Sequence, residues 1–315
     1  MNILITGAAG AIGSHVAEAL ARAGHTVRGV DSFDPYYDRG FKEINVGDIK
    51  KAGVQFVEAD LCTADLVYLI EGADVIYHFA AQPGLAAHVP FSKYVDNNII
   101  ATQRLLEAIK QVGSVKLFVH ASTSSVYGKQ ASGDETTEPK PTSYYGVTKL
   151  AGEQLALAYH REQGVPVVVL RLFSVYGERD RPEKLYHKFI NSVLNKKSFT
   201  LYEGAETHVR SYTHIADGVD SCLLVLEKRQ QVVGEIFNIG NDKTISTGEG
   251  IAILEHILGE KANITRMPAR SGDQIETAAN ISKARRLLGY DPKIRPEEGL
   301  TRQVVWYRAK VHGKI

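Results

Sequence analysis

Short apolar runs rich in Val, Ile and Ala alternate, along the first half of the chain, with segments whose apolar residues recur every three or four positions. Residues 2–6, 26–31, 54–59, 74–80, 115–121 and 165–173 read as strands that are apolar on both faces and so must be covered on both. Between them, 12–23, 94–111 and 145–161 read as helices carrying an apolar stripe. Strands joined by helices run parallel, and such crossovers are almost always right-handed. The pattern therefore predicts an α/β fold with a Rossmann-type doubly wound parallel sheet. After Gly177 the pattern loosens into a helix over 184–195, short strands at 200–202 and 236–239, and helices over 248–258 and 296–307, read as a smaller α/β lid. The expected division is a dinucleotide-binding domain at 1–175 and a substrate-binding domain at 176–315, with the chain able to cross back near 205–240. No Gly-, Pro- or Ser-rich linker separates them, so they are expected to share a cleft.

The carboxyl ends of parallel strands are where such sheets bind ligands, and the informative residues fall there. Gly7-Ala8-Ala9-Gly10-Ala11-Ile12-Gly13 follows the first strand and opens the first helix. Backbone amides and the positive helix end can meet a pyrophosphate there, and glycines remove the side chains that would block it. Any tight strand-to-helix turn uses glycines, so the motif alone says little. Asp31 at the end of the second strand changes the picture, because a carboxylate there accepts hydrogen bonds from both adenosine ribose hydroxyls. It also repels a 2′-phosphate, and Ser32, Phe33 and Asp34 bring no arginine to neutralise one, so NAD is expected rather than NADP. Asp60-Leu61 after the third strand and Phe79-Ala80-Ala81 after the fourth should flank the adenine and the middle of the cofactor.

Tyr145 and Lys149 begin a predicted helix, and four-residue spacing sets phenol and ammonium on one face. A phenol that titrates near ~10 is a poor base at neutral pH, but a nearby ammonium and a positive nicotinamide ring both favour the phenolate. Tyrosine and lysine at this spacing often form a mere packing pair. Here Ser122-Thr123-Ser124-Ser125 follows the fifth strand and offers a row of hydroxyls beside them, able to hold a reacting oxygen.

Bulk charge narrows the partners. Lys and Arg number 37 against 36 Asp and Glu, so no net field attracts nucleic acid or an anionic membrane. No apolar run of about 18 residues is present for spanning a bilayer, and no basic and apolar leader opens the chain. Cys62 and Cys222 match neither metal nor redox spacing and read as free thiols in a reducing compartment, which points to the cytoplasm. His78, His120 and His214 fall on strands or their ends and read as structural, so no metal is expected.

Taken together, Gly7-x-x-Gly10-x-x-Gly13, the run from Ser122 to Tyr127-Gly128, Tyr145-x-x-x-Lys149 and Leu170-Arg171-Leu172-Phe173-Ser174-Val175-Tyr176-Gly177 resemble the extended short-chain dehydrogenases, the NAD-dependent epimerase/dehydratase family. The resemblance covers nearly the whole chain. Within the family, Asp34-Pro35-Tyr36-Tyr37-Asp38, His78-Phe79-Ala80-Ala81-Gln82-Pro83-Gly84 and Val175-Tyr176-Gly177 through Arg181-Pro182 are most similar to UDP-glucuronate 4-epimerases. The resemblance implies a retained NAD. Tyr145 takes the C4 hydroxyl proton, hydride passes from C4 to the nicotinamide, the 4-keto sugar turns over, and hydride returns to its other face. Thr123 would share that proton, with Ser124 beside it, and Lys149 would also bind the nicotinamide ribose. Ala11, Ile12, Gln82, Asn97, Ser122 and Phe173 match positions at the cofactor. Dehydratases of the family carry an Asp-Glu pair, since eliminating water needs its own acid and base, where Ser124-Ser125 stand. Decarboxylases place Glu at Ser125, so epimerisation remains.

For the substrate, the resemblance assigns Arg210 and Arg270 to the diphosphate, with Tyr202 and Asp273 near the nucleotide. Gln82, Thr123 and Ser125 would meet the sugar, and Arg181 its carboxylate. Ala86 stands where glucuronate epimerases carry a further arginine. A UDP-glucose/galactose or UDP-N-acetylhexosamine 4-epimerase therefore stays open, as do a nucleotide-sugar reductase and a non-catalytic NAD-binding protein. The helices over 94–111 and 145–161 resemble those that pair across a two-fold axis in the family, which implies a homodimer through a four-helix bundle.

Overall fold

Seven parallel strands form the central sheet of the computed structural model, which describes residues 1–84, 89–269 and 275–315. They are β1 (Asn2–Thr6), β2 (Thr26–Asp31), β3 (Gln55–Glu58), β4 (Val75–His78), β5 (Leu117–Thr123), β6 (Val167–Leu172) and β7 (Ile236–Ile239), in spatial order β7-β6-β5-β4-β1-β2-β3. The order reverses between β1 and β4, opening a crevice at their carboxyl ends. Successive side chains point to opposite faces, so Ile3 and Ile5 of β1 join one core while Leu4 joins the other. The first core includes α1 (Ala11–Arg22), and the second is closed by α3 (Ala101–Val112) and α4 (Tyr144–Gln163). A third core, containing Tyr186, Phe189, Phe199, Leu254 and Leu300, belongs to the C-terminal half.

Several boundaries differ from the sequence expectation. β4 ends at His78, so Phe79, Ala80 and Ala81 form a loop. β5 runs on to Thr123, which puts Ser122 and Thr123 in the strand and leaves only Ser124–Tyr127 as a 3₁₀ turn. α2 (Arg39–Lys51) carries no apolar stripe to announce it, because its buried residues are Lys42, Asn45, Val46 and Ile49. Residues 236–239, within the stretch where the chain could cross back, form the seventh strand of the large sheet, pairing in parallel with β6. The element that carries the chain back is α5 (Ile215–Glu227), whose pattern Asp217, Gly218 and Ser221 interrupt; it packs on α1 through Val219, Cys222 and Leu226 of the first core.

The expected helix over 94–111 is in fact three pieces, an α-turn at Phe91–Val95, a π-turn at Asp96–Ile100, and α3. α4 presses close to the π-turn at Gly152, where a Cβ would lie 2.6 Å from the Asn98 carbonyl oxygen.

A buried polar chain ties β5, β6, β7 and α4 together. Ser122 Oγ donates to Glu153 Oε2 at 2.6 Å, and Arg171 Nη2 donates to Glu153 Oε1 at 2.6 Å. Arg171 Nη1 donates to the Tyr127 hydroxyl at 2.7 Å, which in turn donates to Asn238 Oδ1 at 2.8 Å. Removing one partner of such a pair leaves a bare charge in the interior. Glu153→Ala should therefore lose about 3–5 kcal/mol of stability, measured by urea unfolding; a loss under about 1 kcal/mol, the level of a surface pair, would contradict this account.

Candidate active site

The turn after β1 is closed by its own glycines. Gly7 has φ +73°, and a Cβ there would sit 2.7 Å from the Ala80 amide nitrogen; one on Gly13 would sit 2.2 Å from the Gly7 carbonyl oxygen. β1, its loop and the start of α1 therefore pack closer than any side chain allows. Gly10 is the N-cap of α1 and offers no side-chain cap, so the first amides, with Ala11 and Ile12, are left for a ligand. Asp31 is held as a prepared acceptor: Oδ2 takes the Ala9 amide at 3.1 Å and Oδ1 the Phe33 amide at 2.8 Å. Burial pushes its carboxyl up, while Lys42, 3.9 Å away, and the two amides pull it back. Beyond it a cavity of about 360 Å³ is lined by Ser32, Asp34, Asp60 and Lys93 among others, and the neighbouring Leu61 is buried. An open helix end, a fixed acidic acceptor and a hollow beside it fit the pyrophosphate, ribose and adenine of NAD.

The loop after β4 is fixed by a residue the sequence reading passed over. Asn98, on the π-turn, accepts the Gln82 amide at 2.7 Å, and its own Nδ2 lies 3.2 Å from the Gln82 carbonyl and 3.0 Å from Thr148 Oγ1. This positions Gln82 against α4 one residue before Lys149. Asn97 sits on the same turn, donating to the Lys93 carbonyl at 3.1 Å. The Ser122 hydroxyl donates to Glu153 at 2.6 Å, and the Phe173 ring is buried beside Tyr127.

Ser143 caps α4, accepting the Gly146 amide at 3.1 Å. Gly146 lets the helix start touch the β5 turn, since a Cβ there would sit 2.7 Å from the Ser125 carbonyl oxygen. That contact brings Tyr145 to Thr123, whose hydroxyl hydrogen-bonds the phenol. Thr123 also accepts the Ser125 amide at 3.2 Å, and Ser124 is buried behind it. Burial pushes the Tyr145 phenol up, and the Arg181 guanidinium and the Thr123 bond pull it down. Lys149 is only 3% exposed. Burial lowers its ammonium from 10.5 to about 8, against the field of Glu153 one turn on. His78 and His120, both buried, lie close enough to feel that charge; His78 is engaged by Thr6 and Thr102 at 2.8 and 3.0 Å.

Arg181 approaches from the C-terminal half. Its Nη1 lies 2.9 Å from Glu183 Oε1, yet neither atom completes a directed hydrogen bond. Arg210, on a short strand, donates to the Val209 and Ile275 carbonyls at 2.9 and 3.0 Å. Lys184, unremarked in the sequence, stands at the N-cap position of the helix Leu185–Leu194 without a side-chain cap and lies within the fields of Asp180, Arg181 and Arg210; burial pulls its ammonium down. Tyr202 ends the strand Phe199–Tyr202. Arg270 and Asp273 lie outside the described residues, as does Ala86.

A helix end left open for a dinucleotide, a buried tyrosine and lysine on one helix beside a strand-end hydroxyl, and the Arg181 guanidinium within reach of the phenol make the arrangement of an NAD-dependent enzyme of the short-chain dehydrogenase class. The chain belongs to the NAD-dependent epimerase/dehydratase family, whose pattern matches residues 3–240. It is 40% identical over 319 residues, covering 100% of each chain, to YtcB of Bacillus subtilis, described as an uncharacterized UDP-glucose epimerase. It is 36% identical to UDP-glucuronate 4-epimerase 4 of Arabidopsis thaliana over 336 residues, covering 99% of this chain and 76% of the relative. Among solved structures, the UDP-glucuronic acid 4-epimerase of Bacillus cereus, in complex with UDP-glucuronic acid and NAD, superposes with a TM-score of 0.94 at 38% identity, covering 98% of this chain and 99% of that one.

A lysine whose value is lowered to about 8 carries its charge below that pH and loses it above. Activity that depends on the Lys149 ammonium should therefore show an alkaline limb with its midpoint near pH 8 in kcat/KM. In Lys149→Arg the limb should move beyond roughly pH 10, since arginine stays protonated. A limb that stays in place would assign it to another group.

Proposed function

We propose that this chain inverts C4 of UDP-glucuronate, interconverting it with UDP-galacturonate while NAD stays bound. The observation that carries the choice of sugar is Arg181, a guanidinium within the field of Tyr145 whose buried Nη1 lacks a directed hydrogen bond. A uronate carboxylate would complete it. Tyr145 takes the C4 hydroxyl proton at its phenolic oxygen and returns one after the sugar has turned. The Thr123 hydroxyl holds the C4 oxygen in line, with Ser124 and Ser125 alongside and Gln82 opposite, and the Lys149 ammonium stabilises the phenolate. NAD, when bound, supplies the hydride acceptor and donor, which makes the overall reaction an isomerisation. Arg210, Arg270, Tyr202 and Asp273 are assigned to the nucleotide diphosphate. Neither Ser124 nor Ser125 is an acid or base able to expel water, so the 4-keto sugar has reduction as its outlet.

A neutral sugar is the second reading. It is favoured by the Glu183 carboxylate already beside Arg181 and by the name of the Bacillus subtilis relative. Purified protein, given no added cofactor, should convert UDP-glucuronate in preference to UDP-glucose or UDP-N-acetylglucosamine, with C4 epimers resolved by NMR. Tyr145→Phe should lose about 10²–10⁴-fold in kcat. Conversion of UDP-glucose alone would replace the substrate, and unchanged turnover in Tyr145→Phe would overturn the mechanism.

We further infer a cytoplasmic homodimer. Free Cys62 and Cys222 suit a reducing compartment. Phe91 (46% exposed), Ile100 (43%), Tyr144 (61%) and Val147 (45%) present an apolar face on the helical segments expected to pair, with the Phe91 and Tyr144 rings 5.0 Å apart. Light scattering at micromolar concentration should give twice the chain mass of 34.6 kDa, and an Ile100→Glu/Val147→Glu variant should give that mass once. A monomeric parent protein would contradict the dimer.

A further inference from the structure

The segment that delivers Arg181 is built in an expensive way. Arg179, two residues earlier, holds a left-handed φ of +59° and is only 8% exposed. A long side chain disfavours that backbone, and a guanidinium resists burial. Both costs are met across the cleft. Arg179 Nη2 lies 2.5 Å from Glu18 Oε2 on α1 and 3.5 Å from Asp48 Oδ2 on α2, and Lys310 of the C-terminal helix reaches the same Asp48 at 2.9 Å. The anchor points therefore belong to the two helices that flank the cofactor cradle, and α1 is the one whose open end receives the pyrophosphate.

From this anchor the backbone is held by hydrogen bonds up to Arg181. The Asp180 carbonyl is engaged by His187 Nδ1 at 2.8 Å, and the Asp180 carboxylate accepts the Arg181 amide at 2.9 Å. Arg181 Nη1 then lies 3.9 Å from where a Cβ on Gly84 would stand, in the loop after β4. We propose that Arg179 is a positioning residue for substrate choice: its ion pair to Glu18 and Asp48 forces the left-handed turn that sets Arg181 against Tyr145, so recognition of the sugar carboxylate is referenced to the cofactor half. The proposal rests on the reading of Arg181 as the carboxylate anchor. A clamp that merely joined the two halves would alter stability without altering the choice between charged and neutral sugars.

Two substitutions separate backbone from charge. Arg179→Gly permits the left-handed turn and removes the ion pair; Arg179→Lys keeps a cation. In the holoprotein, Arg179→Gly should raise KM for UDP-glucuronate about tenfold with kcat changed less than about threefold, and leave KM for UDP-glucose nearly unchanged. Arg179→Lys should recover most of the loss. Equal effects on both sugars, or none, would overturn the proposal. A crystal structure of the Arg179→Gly holoprotein without substrate supplies the independent arm: Arg181 should move by more than about 1 Å relative to Tyr145, and an unmoved Arg181 would also overturn it. Should the parent protein ignore UDP-glucuronate, the substrate reading fails and this structural arm still decides. If Arg179→Gly does not fold, Glu18→Gln, which keeps Arg179 and weakens its anchor, takes its place with the same expected selectivity change.

Discussion

Everything at the reacting end of the molecule depends on keeping a lysine charged in a dry place. Lys149 is almost wholly enclosed, and the carboxylate that sustains it is Glu153, a helical turn further along α4 and itself fully buried. A carboxylate in such a place needs partners of its own, and Arg171 and Ser122 supply them. Arg171 is then bound through Tyr127 to Asn238. The electrostatics of one ammonium thus determine how α4 sits on β5, and why β6 and β7 must lie beside it in register. An apolar replacement of the whole set could pack as well; it would remove the carboxylate that sustains the Lys149 charge.

The two sides of the site present positive charge by different means. On the cofactor side the work falls to the backbone, through the unfilled end of α1 and loops brought together by Gly7 and Gly13. Directed amides suit a ligand that is to be held tightly and always in one pose. On the C-terminal side Arg181, Lys184 and Arg210 gather around Asp180 and Glu183. Side-chain cations with nearby acids can let go of a charged ligand without leaving bare charges behind, as turnover requires.

Most of the sheet was legible in the sequence because strands covered on both sides leave uninterrupted apolar runs. The glycine turn, Asp31 and the Tyr145–Lys149 pair were legible for a different reason: each is a chemical requirement fixed at a short local spacing. What stayed hidden was tertiary. α2 turns Lys42 and Asn45 inward because Lys42 faces Asp31 and the Asn45 amide group donates to the Ala9 carbonyl at 2.9 Å. β7 reads like any short strand, and its parallel pairing with β6, reached after α5 crosses back over α1, assigns it to the large sheet. The partners of the Ser122 hydroxyl and the Phe173 ring, Glu153 and Tyr127, are likewise tertiary and leave no local pattern. Arg179 gives no local sign at all, since its partners lie more than a hundred residues away.

The π-turn at Asp96–Ile100 has a consequence for how such an enzyme changes over generations. A π-turn holds one residue more than the α-turn it replaces, so a single codon gained or lost there makes or erases it while the surrounding helix survives. Asn98 would then rotate away from Gln82 and Thr148 in one step, with no residue exchanged. Lineages that diverge by small insertions thus have at this turn a place where the floor of the pocket can be re-cut abruptly, whereas point substitutions at the hydroxyl row alter it only by degrees.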